Sequence, residues 1–315
     1  MKIMLSVVLP VYNEAENLAP LYQKLKRELL KLKTSHEILF VDDGSTDGSL
    51  SKLKAIQKND RSVRIIAFRG NFGQSAAINA GFSRSKGSTI VVMDSDLQND
   101  PEDIARLLKK MDEGYDVVSG WRYSRNDPLS KRTPSKISNW LHRKLTGLEI
   151  HDSGCTLKAY SKEAVQNLEL YGEMHRYIPA LVAAKGFKIG EIKVQHHERK
   201  HGKSKYGGGR LIRGALDLLF IHFMTKYSSR PLHFFGYLGI VPIVFGSLLG
   251  VYKAIDQLLL FLSGGEVVAS PLLLLSVFLI LTGILLIIFG FLAELIIRLH
   301  YRSAEGKNYS IKKIT

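Results

Sequence analysis

Acidic and small polar residues follow four apolar segments in the first third of the chain. The first two are followed by Pro10-Val-Tyr-Asn-Glu14 and by Val41-Asp-Asp-Gly-Ser-Thr-Asp-Gly48. The next two are followed by Arg69-Gly-Asn-Phe-Gly-Gln-Ser75 and by Asp94-Ser-Asp-Leu-Gln-Asn-Asp-Pro-Glu102. Carboxylate and other oxygen ligands of this kind suit hard cations and the phosphates that accompany them. These four segments are therefore the candidate ligand-binding loops.

Asp94 and Asp96 are the strongest of these candidates. Two carboxylates at positions i and i+2 that leave a buried strand point the same way, and a shared cation relieves their repulsion. A divalent cation held there leaves positions open for a diphosphate, whose charge it can neutralise. The segment from Asp43 to Asp47 has a second interpretation, a tight turn in which Ser45 or Thr46 caps the next helix.

The apolar segments are predicted strands. They span Met4–Val11, Glu37–Val41, Val63–Phe68, Ser88–Met93 and Asp116–Ser119. Between them lie segments with helical spacing, such as Leu18, Leu21, Leu25 and Leu29. Strands that are apolar on both faces and alternate with amphipathic helices predict an α/β fold, with a mainly parallel sheet covered by helices on both faces. Ligands bind such sheets at the carboxyl ends of the strands, where the polar segments lie.

The composition describes a chain in two parts. Its 315 residues are 45% hydrophobic and 23% charged, which excludes a disordered chain, a collagen-like repeat and a coiled coil. Residues 231–252 and 267–293 contain no charged side chain, and each run can cross a hydrocarbon layer of about 30 Å. We predict a cytosolic globular domain over 1–228, two transmembrane helices at 232–256 and 271–296 within 229–300, and a basic tail over 301–315. Two buried core helices are the alternative.

Charge bias predicts the orientation in the membrane. The segment that connects the predicted spans, from Lys253 to Pro271, carries Asp256 and Glu266 against Lys253 alone. Basic residues flank the other ends of both spans: Lys226, Arg230, Arg298, Arg302, Lys307, Lys312 and Lys313. Positive flanks belong in the cytoplasm, so we expect a multi-pass protein of the cytoplasmic (inner) membrane with both termini in the cytoplasm. The single cysteine, Cys155, excludes an intramolecular disulfide and fits a reducing compartment.

The ordered motifs resemble those of glycosyltransferase family two, which has the Rossmann-like GT-A fold. The resemblance rests on P-V-Y-N-E, V-D-D-G-S-T-D, D-S-D-L-Q-N-D-P-E and the later H-H-E-R-K-H-G-K-S-K-Y, over about the first 225 residues. Within the family the chain is most similar to dolichyl-phosphate mannose synthases and bacterial polyprenyl-phosphate glycosyltransferases of the GtrB type. This resemblance implies inverting transfer of a sugar from a nucleotide diphosphate sugar, UDP-glucose or similar, to undecaprenyl or dolichyl phosphate.

The resemblance also implies a donor site. Asp42 would contact the base, and Asp94, Asp96 and Gln98 would hold Mg²⁺ or Mn²⁺. The family pattern usually reads D-x-D-L-Q-x-P-P-E, whereas here Asn99 and Asp100 precede a single Pro101, which leaves the carboxylates intact. The residues implied to contact the nucleotide sugar are Pro10, Tyr12, Glu14, Asp42, Arg69, Asn71, Gly73, Asp94 and Ser95.

The acceptor side is implied in the same way. The catalytic residues would be Asp96, Asp152, Arg199 and Lys205. The acceptor phosphate would be contacted by Arg122, Arg125, Arg199, Lys203, Lys205 and Tyr206. Most of the second group lies in a glycine-rich, basic stretch that suits a loop closing over phosphates. A structural cap is the alternative role for Asp152. Some relatives have a second aspartate where this chain has Cys155, and we expect that thiol to be packed.

Two amphipathic segments, around residues 137–145 and 211–223, have the composition of helices that lie in an anionic membrane interface, although either could pack on the core. They help to account for the net charge of +15, so nucleic acid is not predicted as a partner. Related bacterial enzymes suggest a homotetramer. The competing functions are a processive polysaccharide synthase of the same family, which needs more spans and a Q-x-x-R-W motif, and a non-catalytic membrane scaffold.

Overall fold

The computed structural model describes residues 4–123, 139–166, 168, 170, 172–198, 210–227, 230–266 and 270–303. The chain divides into two compact units, Met1–Ile221 and His222–Thr315. The first contains the candidate ligand-binding loops and the second contains the long apolar runs.

The first unit is built on a seven-stranded sheet. Its strands are β1 (Leu5–Val11), β2 (His36–Asp42), β3 (Val63–Ala67), β4 (Thr89–Val92), β5 (Val117–Arg122), β6 (Lys158–Ser161) and β7 (Ile189–Val194). The strand order is β3-β2-β1-β4-β6-β5-β7. Among these strands β6 runs antiparallel to both of its neighbours, whereas the other pairs are parallel. The predicted mainly parallel sheet is confirmed.

Helices cover both faces of this sheet. They are α1 (Ala15–Lys31), α2 (Ser49–Asn59), α3 (Gln74–Arg84), α4 (Asp103–Met111), α5 (residues 139–146), α6 (Lys162–Val165) and α7 (Ile178–Ala183), with a 3₁₀ turn at Met174–Arg176. A further helix, α8 (Arg210–Lys226), begins in the first unit and ends in the second. Alternate residues of β1 enter different cores: Val7 joins the leucines of α1, and Val8 joins Phe82 of α3. Because side chains alternate along a strand, these cores lie on opposite faces.

Strands β6 and β7 were not predicted. β6 has four residues and begins with Lys158, and β7 includes Glu191 and Lys193. Neither sequence is the apolar run that predicts a buried strand. β7 lies at the edge of the sheet and pairs with β5. Because β6 runs the opposite way, its first residue lies at the edge where β4 and β5 end.

The two predicted interfacial helices differ in what they bury. In α5, Leu141 and Leu145 pack against the core, whereas Trp140 remains 54% exposed. The leucines of α5 thus pack on the core, which was the alternative to a position in the membrane interface. In α8, Leu216 and Leu219 are exposed, so its interfacial role stays a prediction.

Two long helices form the second unit: α9 (Pro231–Leu262) and α10 (Pro271–Ser303). Both are long and apolar enough to cross a membrane. They approach closely at small residues, since a Cβ on Gly239 would lie 2.6 Å from the carbonyl oxygen of Gly283. α9 continues past residue 256, so Lys253 and Asp256 form an ion pair of 2.9 Å inside the helix. The helix thus extends to Leu262, beyond the predicted end of the first span at residue 256, and the limits of the span in the membrane stay a prediction.

The loops after β2 and β3 touch through their main chains. Gly44 has a φ of +70°, and a Cβ there would lie 2.7 Å from the Cα of Gly70. Gly48, four residues on, has a φ of +87°, but a Cβ there would meet nothing within 4 Å. Both glycines therefore have a left-handed backbone, but only at Gly44 would a side chain collide with the neighbouring loop.

We expect Gly44→Ala to lower the melting temperature more than Gly48→Ala. Each alanine costs about 1–2 kcal/mol for its left-handed backbone, and Gly44→Ala must also displace Gly70. Each kcal/mol lowers the melting temperature by about 2–4 °C in a unit of this size. Equal shifts in thermal melts of the two variants would contradict the close approach of the loops.

Candidate active site

The loops after β1 and β2 bind each other. The Asn13 N–H donates to Ser45 Oγ at 2.9 Å, and the Thr46 N–H donates to Asn13 Oδ1 at 2.7 Å. The Ala15 N–H donates to Asp47 Oδ2 at 3.0 Å. The alternative interpretation, in which Ser45 or Thr46 caps α2, does not hold, because Gly48 is the cap residue. Ser45 and Thr46 instead fix the loop after β1.

Asp42 and Asp43, at the end of β2, are both buried but have different partners. Asp43 accepts hydrogen bonds from the N–H groups of Phe72 at 2.7 Å and Gly73 at 2.9 Å. Burial raises the pKa of Asp43, the two N–H groups oppose this, and the charge of Asp42 adds to it. Asp42 Oδ1 has no hydrogen-bond partner among the described residues. Asp43 thus holds the loop after β3, and contact of Asp42 with a base stays a prediction.

All nine residues predicted to contact the nucleotide sugar lie at the carboxyl ends of β1 to β4 or in the loops that follow. Tyr12 and Glu14 are half-buried, whereas Arg69 and Asn71 are exposed. Ser95 donates from its hydroxyl to the carbonyl of Pro10 at 2.7 Å, which connects the loops after β4 and β1. The structure therefore brings the predicted donor residues to one edge, and their contacts with a nucleotide stay a prediction.

Asp94 and Asp96 lie where β4 ends. Asp94 Oδ1 accepts from Gln74 Nε2 at 2.8 Å, and Asp96 Oδ1 accepts from the Gln98 N–H at 3.1 Å. Burial and the charge of Asp96 raise the pKa of Asp94 to about 6, although a hydrogen bond with Thr156 and nearby cations oppose the shift. The two carboxylates therefore repel each other at neutral pH.

This pair fits a divalent cation. Mg²⁺ and Mn²⁺ take carboxylate oxygens, and Mg²⁺ sites commonly combine one or two carboxylates with substrate phosphates and water. Within the described ranges no group of three His, Cys, Asp or Glu side chains is placed to hold a metal. The Gln98 amide nitrogen lies 3.4 Å from His196 Nε2 and 3.3 Å from the His197 carbonyl, so a ligand role for Gln98 stays a prediction.

Arg122 and Asp152 form a bidentate ion pair. Arg122 Nε donates to Asp152 Oδ2 at 2.7 Å and Nη2 donates to Oδ1 at 2.9 Å. Their side chains are 14% and 5% exposed. Burial disfavours the charge of Arg122, but the pair with Asp152 outweighs it and raises the pKa of Arg122. Two residues predicted for the acceptor side are thus in direct contact.

Three further residues belong to this site and were missed by sequence reasoning. Gln74 and Thr156 bind Asp94, and Lys158 is buried beside them at 2% exposure. Gln74 lies in one of the polar segments that follow the predicted strands, so the sequence indicates it as a candidate. No feature of the sequence indicates Lys158. Arg125, Arg199, Lys203, Lys205 and Tyr206 lie outside the described residues.

We expect Asp94→Asn to raise the melting temperature of the metal-free protein at pH 7.5. Because the folded-state pKa of about 6 exceeds the usual value near 4, burial of the Asp94 charge and its repulsion by Asp96 destabilise the folded wild type increasingly as the pH rises from about 4 to 6. The amide removes that loss, so the advantage over wild type should shrink toward pH 4.

Thermal melts in detergent with a chelator measure this, and Asp112→Asn on the exposed end of α4 is the control. A lower melting temperature for Asp94→Asn at pH 7.5 would contradict the raised pKa of Asp94.

Asp152→Asn should have the opposite effect. It leaves the Arg122 charge buried without its carboxylate, which costs about 3–5 kcal/mol. Adding Arg122→Met should recover most of the loss, because no charge then remains to be compensated. Chemical denaturation of the three forms tests this, and an unchanged stability of Asp152→Asn would show that the ion pair contributes little.

Comparison with known proteins agrees with the fold and the motifs. The family model for glycosyl transferase family 2 matches residues 6–169. Glucosyl-3-phosphoglycerate synthase from Mycobacterium tuberculosis, solved with Mn²⁺, UDP and glucosyl-3-phosphoglycerate, has a TM-score of 0.53. It is 18% identical, and the match covers 70% of this chain and 80% of that one. This likeness confirms the fold.

Two relatives are similar over almost the whole chain. Dodecaprenyl-phosphate galacturonate synthase from Rhizobium johnstonii is 39% identical, over 98% of this chain and 92% of the relative. Undecaprenyl-phosphate 4-deoxy-4-formamido-L-arabinose transferase from Pseudomonas aeruginosa is 35% identical, over 99% of this chain and 90% of the relative. The chain is therefore a glycosyltransferase and belongs to glycosyl transferase family 2.

Proposed function

We propose that this chain transfers a sugar from a nucleotide diphosphate sugar to polyprenyl phosphate. The observation that carries this is the match of nearly the whole chain, apolar helices included, to two relatives whose names combine a polyprenyl phosphate with a sugar. Those names contain galacturonate and 4-deoxy-4-formamido-L-arabinose. Neither supports the predicted glucose, so a uronic acid and a modified pentose are the first donor sugars to test.

The donor would bind at the ends of β1 to β4. Asp94 and Asp96 would hold Mg²⁺ or Mn²⁺, which would neutralise negative charge on the nucleoside diphosphate that leaves. Asp42 would accept a hydrogen bond from the base through Oδ1, which is buried and has no hydrogen-bond partner among the described residues. Asp43 would act indirectly, because it holds the loop that carries Asn71 and Gly73.

The acceptor phosphate would act as the nucleophile. A phosphate monoester has a second pKa near 6, so at neutral pH its dianion needs no strong general base. Its oxygen would form a bond to the anomeric carbon as the bond to the donor diphosphate breaks, which inverts that carbon. The protein would contribute placement and charge neutralisation. Arg199 and Lys205 are proposed for this on sequence alone.

Asp152 fits a supporting role better than that of a base. Both of its oxygens accept from Arg122, which uses two of the five guanidinium N–H groups for them. The remaining groups could bind the lipid phosphate. Asp152 would then fix the orientation of Arg122.

The two apolar helices would anchor the chain in the cytoplasmic membrane with the catalytic unit in the cytoplasm. This proposal combines the length and composition of α9 and α10 with the charge bias of their flanks. The domain limits at 228 and 300 and the homotetramer likewise stay predictions. Family membership favours an enzyme over the non-catalytic scaffold.

The test is transfer by membranes that contain the chain. We expect a lipid-linked product from undecaprenyl phosphate with UDP-galacturonic acid or UDP-4-deoxy-4-formamido-L-arabinose, its loss in EDTA and its return with Mn²⁺. Asp96→Ala should lower the rate at least about 100-fold and leave the protein folded, while Asp112→Ala should match wild type. Wild-type transfer in EDTA, or an active Asp96→Ala variant, would refute the metal assignment. No product from a broad nucleotide-sugar panel would refute the function.

A further inference from the structure

Lys158 occupies an unusual place for a lysine. It is the first residue of β6, and it pairs with Val92 of β4 on one side and Ser119 of β5 on the other. Asp94 comes two residues after Val92, and Arg122 comes three residues after Ser119. Lys158 is therefore buried between the carboxylate pair and the Arg122–Asp152 ion pair.

The ammonium of Lys158 binds main-chain carbonyls. Lys158 Nζ donates to the carbonyl of Ser153 at 3.2 Å and to that of Cys155. Burial lowers the pKa of Lys158, which shows that a charge at this position is costly. Replacing a buried charge with an apolar side chain of similar volume is often neutral or stabilising. Stabilisation of the fold therefore does not by itself explain why this buried position holds a lysine.

The segment that Lys158 holds connects both sides of the site. At one end, Asp152 binds Arg122, and a Cβ on Gly154 would lie 3.2 Å from Arg122 Nη2. At the other end, the side chain of Thr156 binds Asp94. A shift of residues 153–155 would therefore move the donor side and the acceptor side together.

We propose that Lys158 is a positioning residue for sugar transfer, which fixes the main chain of residues 153–155 so that Asp94 and Arg122 keep the separation that the reaction needs. This inference rests on the proposed function. Lys158 acts through the segment it holds, and it need not touch either substrate. A misplacement of about 1 Å can lower a rate by about 100-fold.

The experiment compares Lys158→Met with Lys158→Gln and with Lys162→Met. Methionine removes the charge and the donors but fills the space, and glutamine restores a donor. Lys162 on α6 is the matched control, since its Nζ also donates to a main-chain carbonyl, that of Ser85, at 3.0 Å. We expect Lys158→Met to lower kcat about 10- to 100-fold with little change in melting temperature, Lys158→Gln to recover part of it, and Lys162→Met to match wild type.

Amide hydrogen exchange tests the positioning without relying on activity. Lys158→Met should raise exchange at least about tenfold in a peptide that covers residues 152–157 and leave residues 84–88 unchanged, whereas Lys162→Met should do the reverse. Unchanged exchange at 152–157 would overturn the inference even if the wild type transfers no sugar. Wild-type kcat in Lys158→Met would overturn it too. The inference would also be overturned if Lys158→Met lowered kcat together with the melting temperature and Lys158→Gln recovered none of the lost kcat.

Discussion

Buried charge at one edge of the sheet is the constraint on which this structure depends. Asp94, Asp96 and Asp152 meet Arg122 and Lys158 there, in surroundings where an uncompensated charge is costly. Arg122 and Asp152 satisfy each other, and Lys158 binds carbonyls. Asp94 and Asp96 remain as neighbouring like charges. Under the proposed function, a divalent cation held by the two carboxylates would offset this repulsion.

The reversed strand β6 makes this concentration of charge possible. In an all-parallel sheet, the strand next to β4 would also end at this edge, and a loop leading to a helix would follow it. Because β6 runs the other way, the segment 152–157 enters the sheet between the ends of β4 and β5. The loops after β1 to β4 and the Arg122–Asp152 pair thereby share one edge, as the proposed reaction between a nucleotide sugar and a lipid phosphate requires.

The sequence predicts the first five strands because each is an apolar run bounded by polar loops, and it predicts Asp94 and Asp96 from their spacing. It does not predict β6 or Lys158. Four residues beginning with lysine resemble a polar loop, and the groups that bind Lys158 are carbonyls, which every residue has. It also separates Arg122 from Asp152 by thirty residues, so their contact requires the tertiary structure. The extension of α9 beyond residue 256 to Leu262 was not predicted, because Lys253 and Asp256 interrupt the uncharged run, whereas in the structure they pair with each other within the helix.

Anomalous scattering of Mn²⁺ in crystals of the protein with UDP tests whether Asp94 and Asp96 hold the metal. We expect one strong peak within coordination distance of the carboxylates of Asp94 and Asp96, in contact with the diphosphate of UDP. UDP bound in the site without such a peak, or with Mn²⁺ held by other side chains, would contradict this assignment.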